Sequence, residues 1–206
     1  MAMCEVIIGI QITTFAGSKV SSEEYFKQIV ACTSQEKILP EIDPNATSSA
    51  NEAALATTPS KAVLVSSAQP SEYAEKLKAM YYEHATVTGE PVSVLQPAGA
   101  GKQAPNQKAL VEMFLQSYCD VSVVSGRSTV GYVGHGLAGV KPWLLLTPTN
   151  RTASANPPCI QTTSMEPCFH APPSYDCRAK KDGDLGAVLR HVRHCEDVGD
   201  GLKLYH

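Results

Sequence analysis

The chain has 206 residues, 43% of them hydrophobic and 18% charged, which excludes a disordered polyelectrolyte and suits one ordinary domain plus an appendage. A net charge of -3 supplies no basic excess for a phosphate backbone, so nucleic acid is not expected as a partner. The longest apolar run, Val6 to Ile10, has the length of a strand, and with Glu5 beside it makes neither a membrane span nor a signal-peptide core.

Val6 to Thr14 opens with a continuous run of β-branched residues, the pattern of a strand buried on both faces. Ser21 with Glu24 forms a capping box for a short helix whose apolar face carries Tyr25, Ile29 and Val30. Residues 43–60 are rich in Ala, Ser, Thr and Asn between Pro44 and Pro59, and are expected to form a surface insertion. Lys61 to Ser67 is a second buried strand, followed from Pro70 by a helix with Tyr73, Leu77, Met80 and Tyr81 at helical spacing. Pro91 to Gln96 is a third strand. After a loop through Gly99 and Gly101, the helix from Lys108 to Tyr118 places Leu110, Met113, Phe114 and Ser117 on one face. Val121 to Val124 makes a fourth strand, Thr129 to Leu137 a small-residue helix, and Lys141 to Leu146 a fifth strand.

This alternation predicts an α/β fold, a Rossmann-like parallel sheet with helices on both faces over residues 1–147. Residues 148–206 form an irregular Cys-rich extension that packs on the same domain. Ligands of such sheets bind outside the carboxyl ends of the strands where strand order reverses, which directs attention to the loops after the first and fourth strands.

Of seven cysteines, Cys4, Cys32 and Cys119 lie in the periodic region, and Cys159, Cys168, Cys177 and Cys195 in the extension. Four cysteines in a loop-rich segment read as disulfides or as a metal site to which His191, His194 and Cys195 would contribute. The lack of a Cys-x-x-Cys knuckle favours disulfides. Asn45-Ala46-Thr47 and Asn150-Arg151-Thr152 are glycosylation sequons, at Asn45 and Asn150, in keeping with the secretory pathway.

Gly99-Ala100-Gly101-Lys102-Gln103 fails as a phosphate loop, because Gln96 and Gln103 occupy positions that need Gly and Ser or Thr. Ser125-Gly126-Arg127-Ser128-Thr129-Val130-Gly131-Tyr132 has better chemistry. It leaves a buried strand and enters a helix, where free amides, hydroxyls and the macrodipole favour a diphosphate; Ser128 or Thr129 serves equally well as a plain N-cap.

Ser128-Thr129-Val130-Gly131-Tyr132-Val133 resembles the S-T-F-G-Y-V motif of the plant cell-wall α-1,2-fucosyltransferases, the xyloglucan fucosyltransferase family. Gly9-Ile10-Gln11-Ile12 is similar to the family's G-I-Q-hydrophobic-R strand, Met80 to His84 to its M-Y-W-E-H, Thr88 to Glu90 to its T-G-E, and Gly136 to Trp143 to its G-L-G-G-x-K-P-W. Ser164 to His170, His191 to Asp197 and Gly201 to Leu204 continue the match to the end of the chain.

The resemblance implies the donor-binding second domain of a GT-B glycosyltransferase, with the first domain and a Golgi anchor lying outside this chain. It implies inverting, metal-independent transfer of L-fucose from GDP-fucose, a substrate, to galactose residues of cell-wall xyloglucan or arabinogalactan, with no cofactor. His170, His191 and His194 are then structural groups around a disulfide-linked tail. The implied location is the Golgi membrane or lumen, with homo- or hetero-oligomeric assembly compatible.

The donor site is expected at Gln11, Thr13, Ser125, Arg127, Ser128, Thr129, Gly131 and Tyr132. Where the family carries arginine to neutralise the diphosphate, this chain has Thr13, and a hydroxyl supplies neither the charge nor the forked donors of a guanidinium. Arg127 and Val130 replace the family's tryptophan and phenylalanine. Two functions therefore compete: a fucosyltransferase or part of one, and a degenerate relative that binds nucleotide or glycan, or assembles with intact enzymes, without turnover. No residue stands out as general base.

Overall fold

The computed structural model describes residues 4–13, 20–47, 60–67, 72–97, 105–126, 128–146, 155–165, 175–183, 192–197 and 201–203. In chain order they form β1 (Cys4–Ile12), α1 (Ser22–Gln35), β2 (Ile42–Thr47), β3 (Ser60–Ser67), α2 (Glu72–Glu83), β4 (His84–Thr86), β5 (Val92–Leu95) and α3 (Pro105–Gln116). β6 (Val121–Ser125), α4 (Thr129–Ala138), β7 (Trp143–Leu145) and β8 (Cys159–Gln161) follow, and then the two-residue strands β9 (Tyr175–Asp176), β10 (Lys181–Asp182), β11 (Arg193–His194) and β12 (Leu202–Lys203).

The main sheet runs β5-β3-β1-β6-β7-β8. Its first five strands are mutually parallel, as the buried β-branched runs predict, and β8 closes the edge antiparallel to β7. The strand order reverses between β1 and β6, which makes the carboxyl ends of these two neighbours the switch point of the sheet.

The two faces of β1 differ in chemistry. Ile8, Ile10 and Ile12 are buried in one apolar core with Tyr25, Ile29 and Cys32 of α1, Val63 and Val65 of β3, and Tyr73 and Leu77 of α2. On the alternate positions, Gly9 and Gln11 meet α3 and α4. A Cβ at residue 9 would lie 2.0 Å from Gln116 Oε1 and 2.9 Å from Cys119 Sγ, so a larger residue would displace the Gln116 side chain from its seat against β1. Gln116 is buried there and donates through Nε2 to Leu64 O and Ser66 Oγ.

Ser21 caps α1, its side chain accepting from Glu24 N, as the capping box predicts. Residues 43–60 are not wholly a surface insertion. Ile42–Thr47 pairs antiparallel with β4, so the stretch begins as a strand, held by backbone pairing that its small polar side chains do not advertise. Asn45 is exposed on this strand, its N–H bonded to Asp43 Oδ1; residues 48–59 and Asn150 lie outside the described residues.

Of the four cysteines expected in disulfides, Cys159 and Cys195 are bonded and Cys177 is not. Cys159 is bonded not to another cysteine of the extension but to Cys32 of α1, across 127 residues, and Cys177 is a free, exposed thiol. Cys195 is disulfide-bonded and buried, while Cys168 lies outside the described residues. The cross-link has a packing reason: Gln28, one turn before Cys32, donates from its buried Nε2 to Leu146 O and Pro158 O, seating α1 against the segment that carries Cys159. The extension is therefore stapled to the core, and its β8 is part of the main sheet.

Candidate functional site

β1 ends at Ile12 and β6 at Ser125, and the last register pair between them is Gln11 with Val124. Thr13 N is consequently left without a strand partner and donates to Ser125 Oγ at 2.8 Å, which pins the mouth of the crevice. Ser128 caps α4, accepting from Gly131 N at 3.2 Å. Thr13 Oγ1 stands 3.0 Å from Ser128 Oγ and accepts from Gln11 Nε2 at 2.8 Å. Gln11, Thr13, Ser125, Ser128 and Gly131 thus meet at one edge of the sheet, as the carboxyl-end rule requires.

Gly131 is what allows this closeness. A Cβ there would come within 2.9 Å of Gln11 Oε1 and 3.2 Å of Val124 Cγ1, so a larger residue requires the Gln11 amide and Val124 to give way. Thr129 is exposed at the start of the helix, and Tyr132 is buried behind it. Arg127 lies outside the described residues, so no charge from it enters the geometry.

The hydroxyl pair has a definite proton count. Two N–H donors, from Gln11 and Gly131, enter it, and one of its own two hydroxyl protons is consumed between Thr13 and Ser128. One O–H of the pair is left over as a donor. α4 has no acidic residue in its first turn to offset the positive end of its dipole. A donating hydroxyl beside uncompensated helix amides suits an anionic oxygen.

A cation that the sequence did not single out stands on the same edge. Lys108, in the first turn of α3, donates to Ser67 O at 3.3 Å, and Ser67 is the register partner of Ile12. Its ammonium also lies 3.4 Å from the buried carboxyl of Glu112. Burial pushes the Glu112 pKa up, with the charge of Lys108 opposing the shift. The pair could be found in the sequence only as an i, i+4 spacing on a helix, a signal shared by many solvated helix faces.

His135 was also not anticipated. It is buried in α4, edge-on to Tyr132 with ring centroids 5.6 Å apart, and its pKa is lowered to about 4 by burial, against the opposing effect of Met165 O. The ring is therefore neutral near pH 7, and Nδ1 carries the proton donated to Met165 O at 3.1 Å. This bond fixes the extension to the back of the candidate site. Of the histidines read as structural, His194 binds Gly201 O through Nδ1, whereas His170 and His191 lie outside the described residues.

The family model described as xyloglucan fucosyltransferase matches residues 1–178. Among curated relatives, a galactoside 2-alpha-L-fucosyltransferase of Pisum sativum is 49% identical, the match covering 99% of this chain and 36% of the relative. A protein of the same name from Arabidopsis thaliana is 48% identical over 96% of this chain and 35% of its own length. The chain thus spans little more than a third of the relatives it matches. A solved structure of an Arabidopsis thaliana FUT1 mutant in complex with GDP superposes with a TM-score of 0.75 at 46% identity, covering 98% of this chain and 43% of that one. Sequence, topology and a match along almost the whole length agree: this chain belongs to the xyloglucan fucosyltransferase family.

Proposed function

We propose that this chain forms the GDP-fucose-binding part of a fucosyltransferase that modifies galactose residues of cell-wall xyloglucan or arabinogalactan, working in the Golgi. The observation that carries the reading is the meeting of Thr13, Ser125 and Ser128 with the start of α4 at the switch point of the sheet. The nucleotide diphosphate would accept from the Thr13–Ser128 hydroxyl pair and the first amides of α4, with Lys108 one strand away contributing longer-range charge. During transfer the GDP leaving group gains negative charge as it parts from an oxocarbenium-like sugar. Fixed dipoles aimed at that charge stabilise it without reorganising. In this reading the transfer inverts the anomeric carbon and needs no metal ion. In this reading the sheet of residues 1–147 and the extension 148–206 act as one unit, which the pairing of β8 with β7 and the bond from His135 to Met165 support. Among the described residues no helix is long and apolar enough to cross a membrane.

A second reading, a binding protein of the same fold with little turnover, is favoured by one feature. The cluster at the end of β1 is neutral, with a threonine where the resembled motif has arginine. Titrating GDP and UDP into the purified chain tests the binding claim that both readings share. GDP should bind the wild type more tightly than UDP and more tightly than it binds Ser128→Ala. Equal weak binding of both nucleotides by both proteins would remove the donor site. Turnover of GDP-fucose onto xyloglucan by the chain alone, at rates ordinary for enzymes, would reject the second reading.

A further inference from the structure

β2 departs from its partner strand at one place. Asp43 lies opposite Ala85 and Thr47 opposite His84, so Pro44, Asn45 and Ala46 have no counterpart on β4 and loop out of the ladder as a bulge. Proline suits the first looped position, having no N–H to leave unpaired. Asp43 closes the loop as an Asx turn, its Oδ1 accepting from Asn45 N at 2.9 Å. Pro44 and Asn45 are exposed, while Ile42 beside the loop and His84 across from it are partly buried. The bulge thus displays the acceptor of the Asn45-Ala46-Thr47 sequon, whose middle position is free of proline.

We propose that Asn45 carries an N-linked oligosaccharide and that the fold holds this sugar at the amino-end edge of the main sheet, away from the donor crevice. The inference rests on the secretory-pathway part of the proposed function. α1 and α2 follow the carboxyl ends of β1 and β3 and run back along the sheet, so β2 and β4, which come after them, lie at the amino ends. Side chains agree with this placement. Thr86 Oγ1, at the end of β4, donates to Glu90 O, and the Glu90 carboxylate pairs at 3.4 Å with Lys61 at the start of β3. In the modification, Asn45 Nδ2 attacks the anomeric carbon of an oligosaccharide carried on a polyprenyl pyrophosphate. The C–N bond forms, the C–O bond to pyrophosphate breaks, the amide nitrogen gives up one proton and the lipid pyrophosphate leaves. A bulky, solvated sugar must then stay outside the folded chain, and the exposed bulge leaves it there. β2 has no neighbour besides β4 among the described residues, so the sugar also shields an open strand edge from pairing with another chain.

Translation of the chain behind an added signal peptide, in the presence of secretory-pathway microsomes, tests the proposal. Asn150→Gln serves as the background, which silences the second sequon. Enzymatic release of the sugar turns a linked asparagine into aspartate, and peptide mass spectrometry should find that change at position 45 in most protease-protected chains. Asn45→Gln and Thr47→Ala should abolish it, and Thr47→Ser should keep it. The glycosylated chain and Asn45→Gln should bind GDP with the same dissociation constant. An unmodified Asn45 in chains protected inside the vesicles would overturn the proposal, while GDP binding by those chains would leave the fucosyltransferase reading standing. A dissociation constant weakened about tenfold or more by the sugar would overturn its placement away from the crevice.

Discussion

Replacing Thr13 by arginine separates what the hydroxyl does for the fold from what it withholds from a ligand. Thr13 Oγ1 accepts from the buried Gln11 Nε2 and bonds Ser128 Oγ. Losing these two bonds costs about 1–3 kcal/mol of stability, since each contributes roughly 0.5–1.5 kcal/mol net. A guanidinium facing the positive end of α4 adds about 0.3–1 kcal/mol of repulsion in the empty protein. The ligand-free variant should therefore melt several degrees lower. The sign reverses once a diphosphate is bound, because a charge-assisted bond to phosphate is worth about 1.5–3 kcal/mol, or roughly tenfold to a hundredfold in affinity. Calorimetric titration with GDP at low salt should show that gain, and at high salt it should shrink through screening. GDP should also raise the melting temperature of Thr13→Arg more than that of the wild type. An unchanged dissociation constant at low salt, with the expected loss of ligand-free stability, would refute the placement of the diphosphate at this edge.

Three other perturbations test the framework around the site. His135 has a folded pKa of about 4 against an ordinary value near 6.5, so the unfolded chain takes up its proton first as the pH falls. Its contribution is complete above about pH 6.5 and declines toward pH 4 by about 3 kcal/mol; urea unfolding across that window should show the slope, and His135→Gln should flatten it. Cys159→Ser opens a cross-link spanning 127 residues and should lower stability by about 2–5 kcal/mol in denaturant titration, with no change in the wild type's reducing-agent-free baseline. Gly131→Ala places a methyl 2.9 Å from Gln11 Oε1 and should cost about 1–3 kcal/mol while weakening GDP binding, since the Gln11 amide that bonds Thr13 must shift; unaltered melting and affinity would mean that the contact relaxes freely.

The sequence was most legible where burial is uniform. The β-branched runs of β1, β3 and β6 are buried on both faces and announce parallel strands, and the Ser21–Glu24 box announces the start of α1. It was least legible where backbone pairing or a distant partner decides the outcome. Residues 43–47 read as the start of a surface insertion because Asp, Pro and Asn oppose strand formation, yet β4 recruits them. Cys159 was grouped with its neighbours in sequence, but it lies against Cys32 because Gln28 binds the carbonyls of Leu146 and Pro158. At the candidate site, the loops after Ile12 and Val124 followed from topology alone. Lys108 and His135 did not, since the first needed the register of Ile12 with Ser67 and the second needed the position of Met165. The apolar spacing in α3 was visible, but periodicity fixes only that a helix has two faces; the polar sheet beneath it turns the apolar one outward.

The central claim is that a nucleotide diphosphate binds at the carboxyl ends of β1 and β6. Titration of GDP into isotopically labelled chain, followed through backbone amide resonances, tests it most directly. The account predicts the largest shifts at Thr13 and at Thr129 to Tyr132, the residues nearest the proposed diphosphate, with smaller shifts at Ser67 and Lys108. Saturable shifts confined to the opposite edge, such as Lys37, Lys61 and Glu90, with Thr13 and Gly131 unmoved, would contradict it.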